Sequence, residues 1–352
     1  MTTITDVEDA FEAAAREHPL ALHVVDGDGR TVVSLAGGPS AAGIDTSPMT
    51  VDSPVFLYSV TKAAVGLTAV VTAARGLLDL DAPVADVWPA FGVHGKGEVT
   101  VAQALSHGAG VPGWPDGVID VDVLADLDEA TARLADQPAW AEPGTPCEHV
   151  YSYGHLVGAI LLHATGSRID DLWQQTVAGP LGLDLVMSPP DDAVPLADPD
   201  GVLAALGPGR PPLLTRLLNQ LEPLRDVAWV NALTPANAPL APAVTGWASA
   251  AGLARMYAAW AGDWGRATLG PELQQRSWTA HTSGQDLAMG GHYDWALGTV
   301  VDEVAFGMGG IGGCSAWHDH RSGVSVGLAT ARVPRPGALD ELEAAVDGLA
   351  RT

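Results

Sequence analysis

The stretch Phe56-Leu57-Tyr58-Ser59-Val60-Thr61-Lys62, running on through Ala63 to Leu80, sets a serine and a lysine three residues apart where a helix begins. After Tyr58 the apolar residues Ala64, Leu67, Val70 and Val71 recur at three-to-four spacing, and Gly76 supplies a helix stop. Residues three apart on a helix share a face, so this spacing brings the Lys62 amine to the Ser59 hydroxyl. Ser59 also falls at the positive end of the helix, where developing negative charge is stabilised. A serine hydroxyl becomes a nucleophile only when a base removes its proton, and a lysine can do so once burial lowers its affinity for protons. Val55, Phe56, Val60 and Val65 are the flanking residues that would bury it. An N-cap serine followed by a solvated lysine would print the same four letters. Against that bland reading, the chain has only two lysines, Lys62 and Lys96, and Lys96 sits in His94-Gly95-Lys96-Gly97, which reads as a solvated turn.

With 352 residues, 47% hydrophobic content, 41 glycines and 26 prolines, the chain can bury a large core and carries many loops. No repeat or low-complexity run interrupts it. A net charge of −25 works against nucleic acid or an anionic membrane surface as partner, since both would repel it. The start, Met1-Thr2-Thr3-Ile4-Thr5-Asp6, has no basic and apolar leader pattern, and no apolar run reaches spanning length, so a cytoplasmic protein is expected. Cys147 and Cys314 lie in unrelated contexts and read as packed thiols. Histidines are scattered without metal-ligand spacing, so neither a metal nor another cofactor is expected.

In order, Asp6 to Glu17 reads as an amphipathic helix. Ala21 to Val25 and Thr31 to Leu35 read as a hairpin around Asp26-Gly27-Asp28-Gly29. Helices are expected over Asp122 to Asp136, Leu156 to Thr165 and Ala248 to Ala261. Residues 189 to 242 are rich in proline and leucine and offer a wall or lid. Trp295 to Val301, Gly313 to Asp319 and Val324 to Val333 are strand-like, and Leu339 to Leu349 is helical. Strands near both ends, with helices at both termini, predict an α/β fold. Its antiparallel sheet would be flanked by the N- and C-terminal helices, with a helical lobe inserted. The expected organisation is a single domain over 1–352. The α/β lobe would come from about 1–58 and 290–352 and the helical lobe from about 59–289.

Six ordered segments then resemble the serine β-lactamase-like superfamily, in the branch of class C β-lactamases, esterases and D-stereospecific peptidases. They are Phe56 to Lys62, Leu78 to Pro83, Ala104 to Pro112, Pro143-Gly144-Thr145, Gly246 to Tyr257 and Phe306 to Gly313. The resemblance implies a β-lactamase/transpeptidase-like fold and an acyl-enzyme on Ser59, with Lys62 helping to deprotonate it. It also implies an oxyanion hole from the backbone N–H groups of Ser59 and Ile311, following Met308-Gly309-Gly310 on an edge strand.

Two departures from the family pattern stand out. The family's second motif opens with a tyrosine, whereas here the segment is Cys147-Glu148-His149-Val150-Tyr151-Ser152-Tyr153-Gly154. Counting from Pro143 puts His149 at the tyrosine place, and matching Tyr153-Gly154 to the family's "YG" puts Glu148 there. The residues expected to carry the proton work are therefore His149, with Tyr153 or Tyr151 able to swing in. The second departure is Met308, where β-lactamases and peptidases have a lysine or histidine that helps bind a substrate carboxylate. A thioether offers no such charge, and Trp247, near another polar family position, adds to an apolar pocket. The residues expected to bind substrate are Tyr151, Trp247, Met308, Gly309 and Gly310.

The expected function is a serine enzyme cleaving an ester or amide of a small-molecule acyl donor through acyl–Ser59. One alternative is a biosynthetic transacylase that passes the acyl group to an amine or alcohol. Another is a catalytically inactive small-molecule-binding homologue.

Overall fold

The computed structural model describes residues 2–39, 48–115, 119–198 and 200–350. Helix α1 (Ile4–Ala15) starts in a capping box, the Thr3 hydroxyl accepting from the Asp6 N–H and the Asp6 carboxylate accepting from the Thr3 N–H. Strands β1 (Leu20–Val25) and β2 (Thr31–Gly37) follow as the expected hairpin. The other strands are β3 (Val55–Phe56), β4 (Trp247–Ala248), β5 (Thr282–Gln285), β6 (His292–Trp295), β7 (Val300–Val301), β8 (Ala305–Gly309), β9 (Ser315–Asp319) and β10 (Ser325–Thr330). Eight of these form one antiparallel sheet in the order β2-β1-β10-β9-β8-β7-β6-β5, while β3 and β4 pair separately.

The period-2 alternation of β1 and β10 gives the sheet two apolar faces. Leu20, Leu22, Val24, Val326 and Leu328 meet Val7 and Phe11 of α1 and Leu342 and Val346 of the last helix, α5 (Asp340–Ala350). On the opposite face Gly327 touches helix α4 (Ala250–Ala261) so closely that a Cβ there would lie 2.1 Å from the Ala250 carbonyl oxygen. Two helices thus cover one side of a sheet built from both ends of the chain, and α4 covers the other, as the fold class requires. The helical part contains α2 (Thr61–Ala74), which starts just after Ser59, and α3 (Ser152–Thr165).

Several local expectations change. The sheet reaches back to Thr282 and α4 lies on it, so the α/β part takes in residues assigned above to the helical lobe. The strand expected over Trp295 to Val301 is two strands, because the chain between them lies against α2. A Cβ on Gly66 would fall 2.2 Å from the Leu297 carbonyl oxygen, and Gly298 turns there at φ +98°. The helix expected over Asp122 to Asp136 is also two, since Asp126 leaves helical geometry and its carboxylate accepts from the Glu129 N–H to cap the second. Lys96 is buried rather than solvated, its ammonium donating to the Val93 and Gln137 carbonyls. Cys147 and Cys314 are buried free thiols.

Candidate active site

Strands β3 and β4 fix the turn that carries Ser59. Phe56 pairs with Trp247, and the Leu57 N–H donates to the Gly246 carbonyl at 2.9 Å. Tyr58 then takes φ +51°, a left-handed conformation that costs a non-glycine residue about 1–3 kcal/mol and persists only where its surroundings enforce it. The enforcement is visible: its ring sits edge-on to Phe56 at 4.6 Å, and its hydroxyl donates to the Leu224 carbonyl at 3.3 Å. This reversal turns Ser59 out of the strand and into a single 3-10 turn that runs straight into α2.

One turn later Lys62 is wholly removed from water, with Nζ 2.7 Å from Ser59 Oγ. The same Nζ lies 3.3 Å from Glu148 Oε1, and Glu148 is itself buried. Burial drives the Lys62 amine below its ordinary value, against the attraction of Glu148. Burial also drives the Glu148 carboxyl up, opposed by Lys62 and reinforced by Asp286. Both groups are pushed towards neutrality, which suits one proton held between them.

The strand β8 forms the facing wall. Strand β7 pairs with it only as far as Gly307, so the edge of β8 at Met308 and Gly309 opens onto the cleft. A Cβ on Gly310 would lie 2.4 Å from the Leu57 carbonyl oxygen and 3.4 Å from the Ser59 nitrogen. The absent side chain is what lets the backbone at Gly310 and Ile311 lie beside that of Ser59.

Between these elements runs a cavity of about 410 Å³, reached by Ser59, Glu148, Tyr151, Met308, Gly309, Gly310 and Ile311. Leu206, Leu214 and Leu218, from the proline- and leucine-rich segment, form part of its wall, and the Tyr151 hydroxyl donates to the Leu218 carbonyl at 3.5 Å. The charged side chains described along it are Glu148, Asp340, Glu343 and Arg335, and Arg335 is an exposed residue of the mouth paired with Asp200 at 2.8 Å.

Three residues expected in the site lie elsewhere. His149 points into the core: its Nε2 accepts from the Val111 N–H, so Nδ1 carries the proton and donates to the Cys147 carbonyl at 2.8 Å. Burial lowers its pKa to about 4, leaving it neutral with both nitrogens engaged. Tyr153 is fully buried, and its hydroxyl donates to the Leu105 carbonyl at 3.1 Å. Trp247 packs behind the nucleophile strand, 5.0 Å from the Phe56 ring, and does not reach the cavity. In their place the structure brings in Glu148. The signal for it lies in the register: aligning on Tyr153-Gly154, which α3 carries near its start, selects Glu148, whereas counting from Pro143 selects its neighbour.

A family model described as Beta-lactamase matches residues 5–350. The chain belongs to the beta-lactamase family. Within that family it is 31% identical over 341 residues to the esterase/beta-lactamase LipL of Mycobacterium tuberculosis, covering 88% of this chain and 76% of that protein. Among solved structures it resembles a family VIII carboxylesterase (TM-score 0.83, 26% identity, 98% of this chain and 96% of the other). It also resembles a penicillin-binding protein homolog from Caulobacter crescentus (TM-score 0.80, 27% identity, the same coverages). The chain is a serine hydrolase with the β-lactamase fold. Among the described residues no helix is long and apolar enough to cross a membrane.

Proposed function

We propose that this beta-lactamase family member cleaves esters or amides of uncharged acyl groups through a covalent acyl–Ser59 intermediate. Lys62 would take the serine proton, and the Ser59 and Ile311 N–H groups would hold the oxyanion. The observation that carries the reading is the buried Lys62 amine 2.7 Å from Ser59 Oγ, a geometry in which a lysine can act as base. The preference for uncharged acyl groups rests on the cleft. Met308, on the β8 edge of the cleft, stands where a cation would hold a carboxylate. An apolar cavity also fits a transfer reaction in which an amine or alcohol replaces water as acceptor.

The test is intact-mass spectrometry after treatment with a fluorophosphonate probe, then product analysis of a short-chain ester with and without an added amine. A single adduct mapped to Ser59 is expected. Its absence in folded protein removes the reading in favour of a binding protein. The ratio of acid to amide product separates hydrolysis from transfer.

A further inference from the structure

Building on the acyl–Ser59 reading, the unassigned part of the chemistry is the fate of the leaving group, which must pick up a proton as its bond to the acyl carbon breaks. Lys62 is already committed to the proton of Ser59. His149 and Tyr153 have their polar atoms tied into the core. Glu148 is the buried titratable group that both lines the cavity with Ser59 and stands 3.3 Å from Lys62 Nζ.

We propose that Glu148 is the general acid of this site, holding the one proton of the Lys62–Glu148 pair and delivering it to the leaving group as the acyl–Ser59 bond forms. In the reactive state Lys62 is a neutral amine and Glu148 a neutral carboxylic acid. Ser59 gives its proton to Lys62 while the Oγ electron pair bonds to the acyl carbon and the carbonyl pair moves onto oxygen. As that oxygen re-forms the carbonyl, the bond to the leaving oxygen breaks. The departing atom keeps the electron pair and takes the Glu148 proton. An ammonium and a carboxylate remain side by side, the pair still holding one proton beyond the amine and carboxylate. In the second half Glu148 takes a proton from water, or from an accepting alcohol or amine, as it adds to the acyl carbon. Lys62 returns its proton to Ser59 Oγ as that bond breaks, and the starting state is restored.

The surroundings fit this sharing. Burial lowers the Lys62 amine and raises the Glu148 carboxyl, so each favours its neutral form while Nζ and Oε1 stay 3.3 Å apart. Asp286, the other carboxyl near Glu148, is occupied: it accepts from the N–H groups of Ala288 and Met289 and from the Trp295 indole. Tyr151 and Tyr293 face the same region with their hydroxyls pushed up by burial. Buried His107 and His149 are pushed down and stay neutral at ordinary pH.

The test compares two kinds of ester on one preparation of wild type and of Glu148→Gln. A nitrophenolate leaves without a proton, whereas an alkoxide needs one. The variant is expected to lose roughly 10²–10⁴-fold on alkyl esters, the usual worth of general acid catalysis, and no more than about tenfold on nitrophenyl esters. Because the ratio is taken on one sample, incomplete folding of the variant cancels. In wild type, rates across a series of aryl esters should depend only shallowly on leaving-group basicity. Equal losses on both ester classes, or a steep dependence in wild type, would overturn the proposal. Probe labelling of Ser59 in the same samples reports on the acyl-enzyme separately, since fluoride also departs without a proton.

Discussion

Ser59 Oγ and Lys62 Nζ lie 2.7 Å apart within one helical turn, and the lysine that reaches this serine has no exposure to solvent. Burial removes the solvating role that most lysines have and leaves this amine facing a hydroxyl and a carboxyl.

Changing Ser59 to Ala should abolish probe labelling and ester turnover. Changing Lys62 to Met keeps the volume and should cost about 10²–10⁴-fold in acylation rate, measured as single-turnover acyl-enzyme formation. The same variant carries a stability signature. Without Lys62, which opposes it by charge and by a hydrogen bond, burial raises Glu148 further above its ordinary value of 4.5. The unfolded state then releases the proton first, so folding should weaken as pH rises through the range above 4.5, seen as a falling Tm.

Two neighbouring glycines should answer differently to a methyl group. In Gly310→Ala the new carbon would meet the Leu57 carbonyl oxygen at 2.4 Å and displace the backbone beside Ser59. A kcat loss of about 10²–10³-fold is expected, as for removing an oxyanion donor. At Gly309 an added carbon meets nothing within 4 Å, so Gly309→Ala should fold normally and act on KM for bulky acyl groups. Equal kcat losses at both positions would count against the assignment of Gly310.

Benzylpenicillin and nitrocefin should be poor substrates, because Met308 brings no charge to the β8 edge. Met308→Lys should improve turnover of carboxylate-bearing esters relative to their methyl esters. Steady-state kinetics on such matched pairs check this, and efficient wild-type hydrolysis of either antibiotic would contradict it.

The buried histidines make the fold acid-sensitive. His149 and His155 are lowered to about 4 by burial, and His107 lies well below 6.5. Each is neutral in the folded state, while the unfolded chain takes up protons near 6.5. Their contribution is complete above 6.5 and is lost as pH falls towards 4, by at most about 1.4 kcal/mol per pH unit for each group. Tm should fall steadily from pH 7 to pH 5, and replacing His149 with Gln should flatten that slope more than it changes ester turnover.

The Ser59–Lys62 pairing was legible because helical spacing puts the two residues on one face and six ordered segments resemble one family, and the sheet because β1, β9, β10 and both terminal helices have readable patterns. The acid partner was not. Glu148 and His149 are adjacent, and which of them faces Lys62 depends on two hydrogen bonds that no local pattern announces, one that His149 accepts from the Val111 N–H and one that it donates to the Cys147 carbonyl. Lys96 misled for a similar reason, since the carbonyls that receive it come from Val93 and from Gln137, a distant part of the chain. The break between β6 and β7 belongs to the contact of Leu297 with Gly66, a long-range approach hidden inside an apolar run.

The hydroxyl of Tyr58 is anchored on the Leu224 carbonyl, within the proline- and leucine-rich segment that also gives the cleft Leu214 and Leu218. The part of the chain that lines the cleft therefore also braces the left-handed residue that precedes Ser59. Grafting a relative's version of this segment to change substrate preference would slacken that brace unless a carbonyl is kept at that point. Libraries that randomise the wall should therefore keep the backbone path at Leu224, which sets where that carbonyl lies.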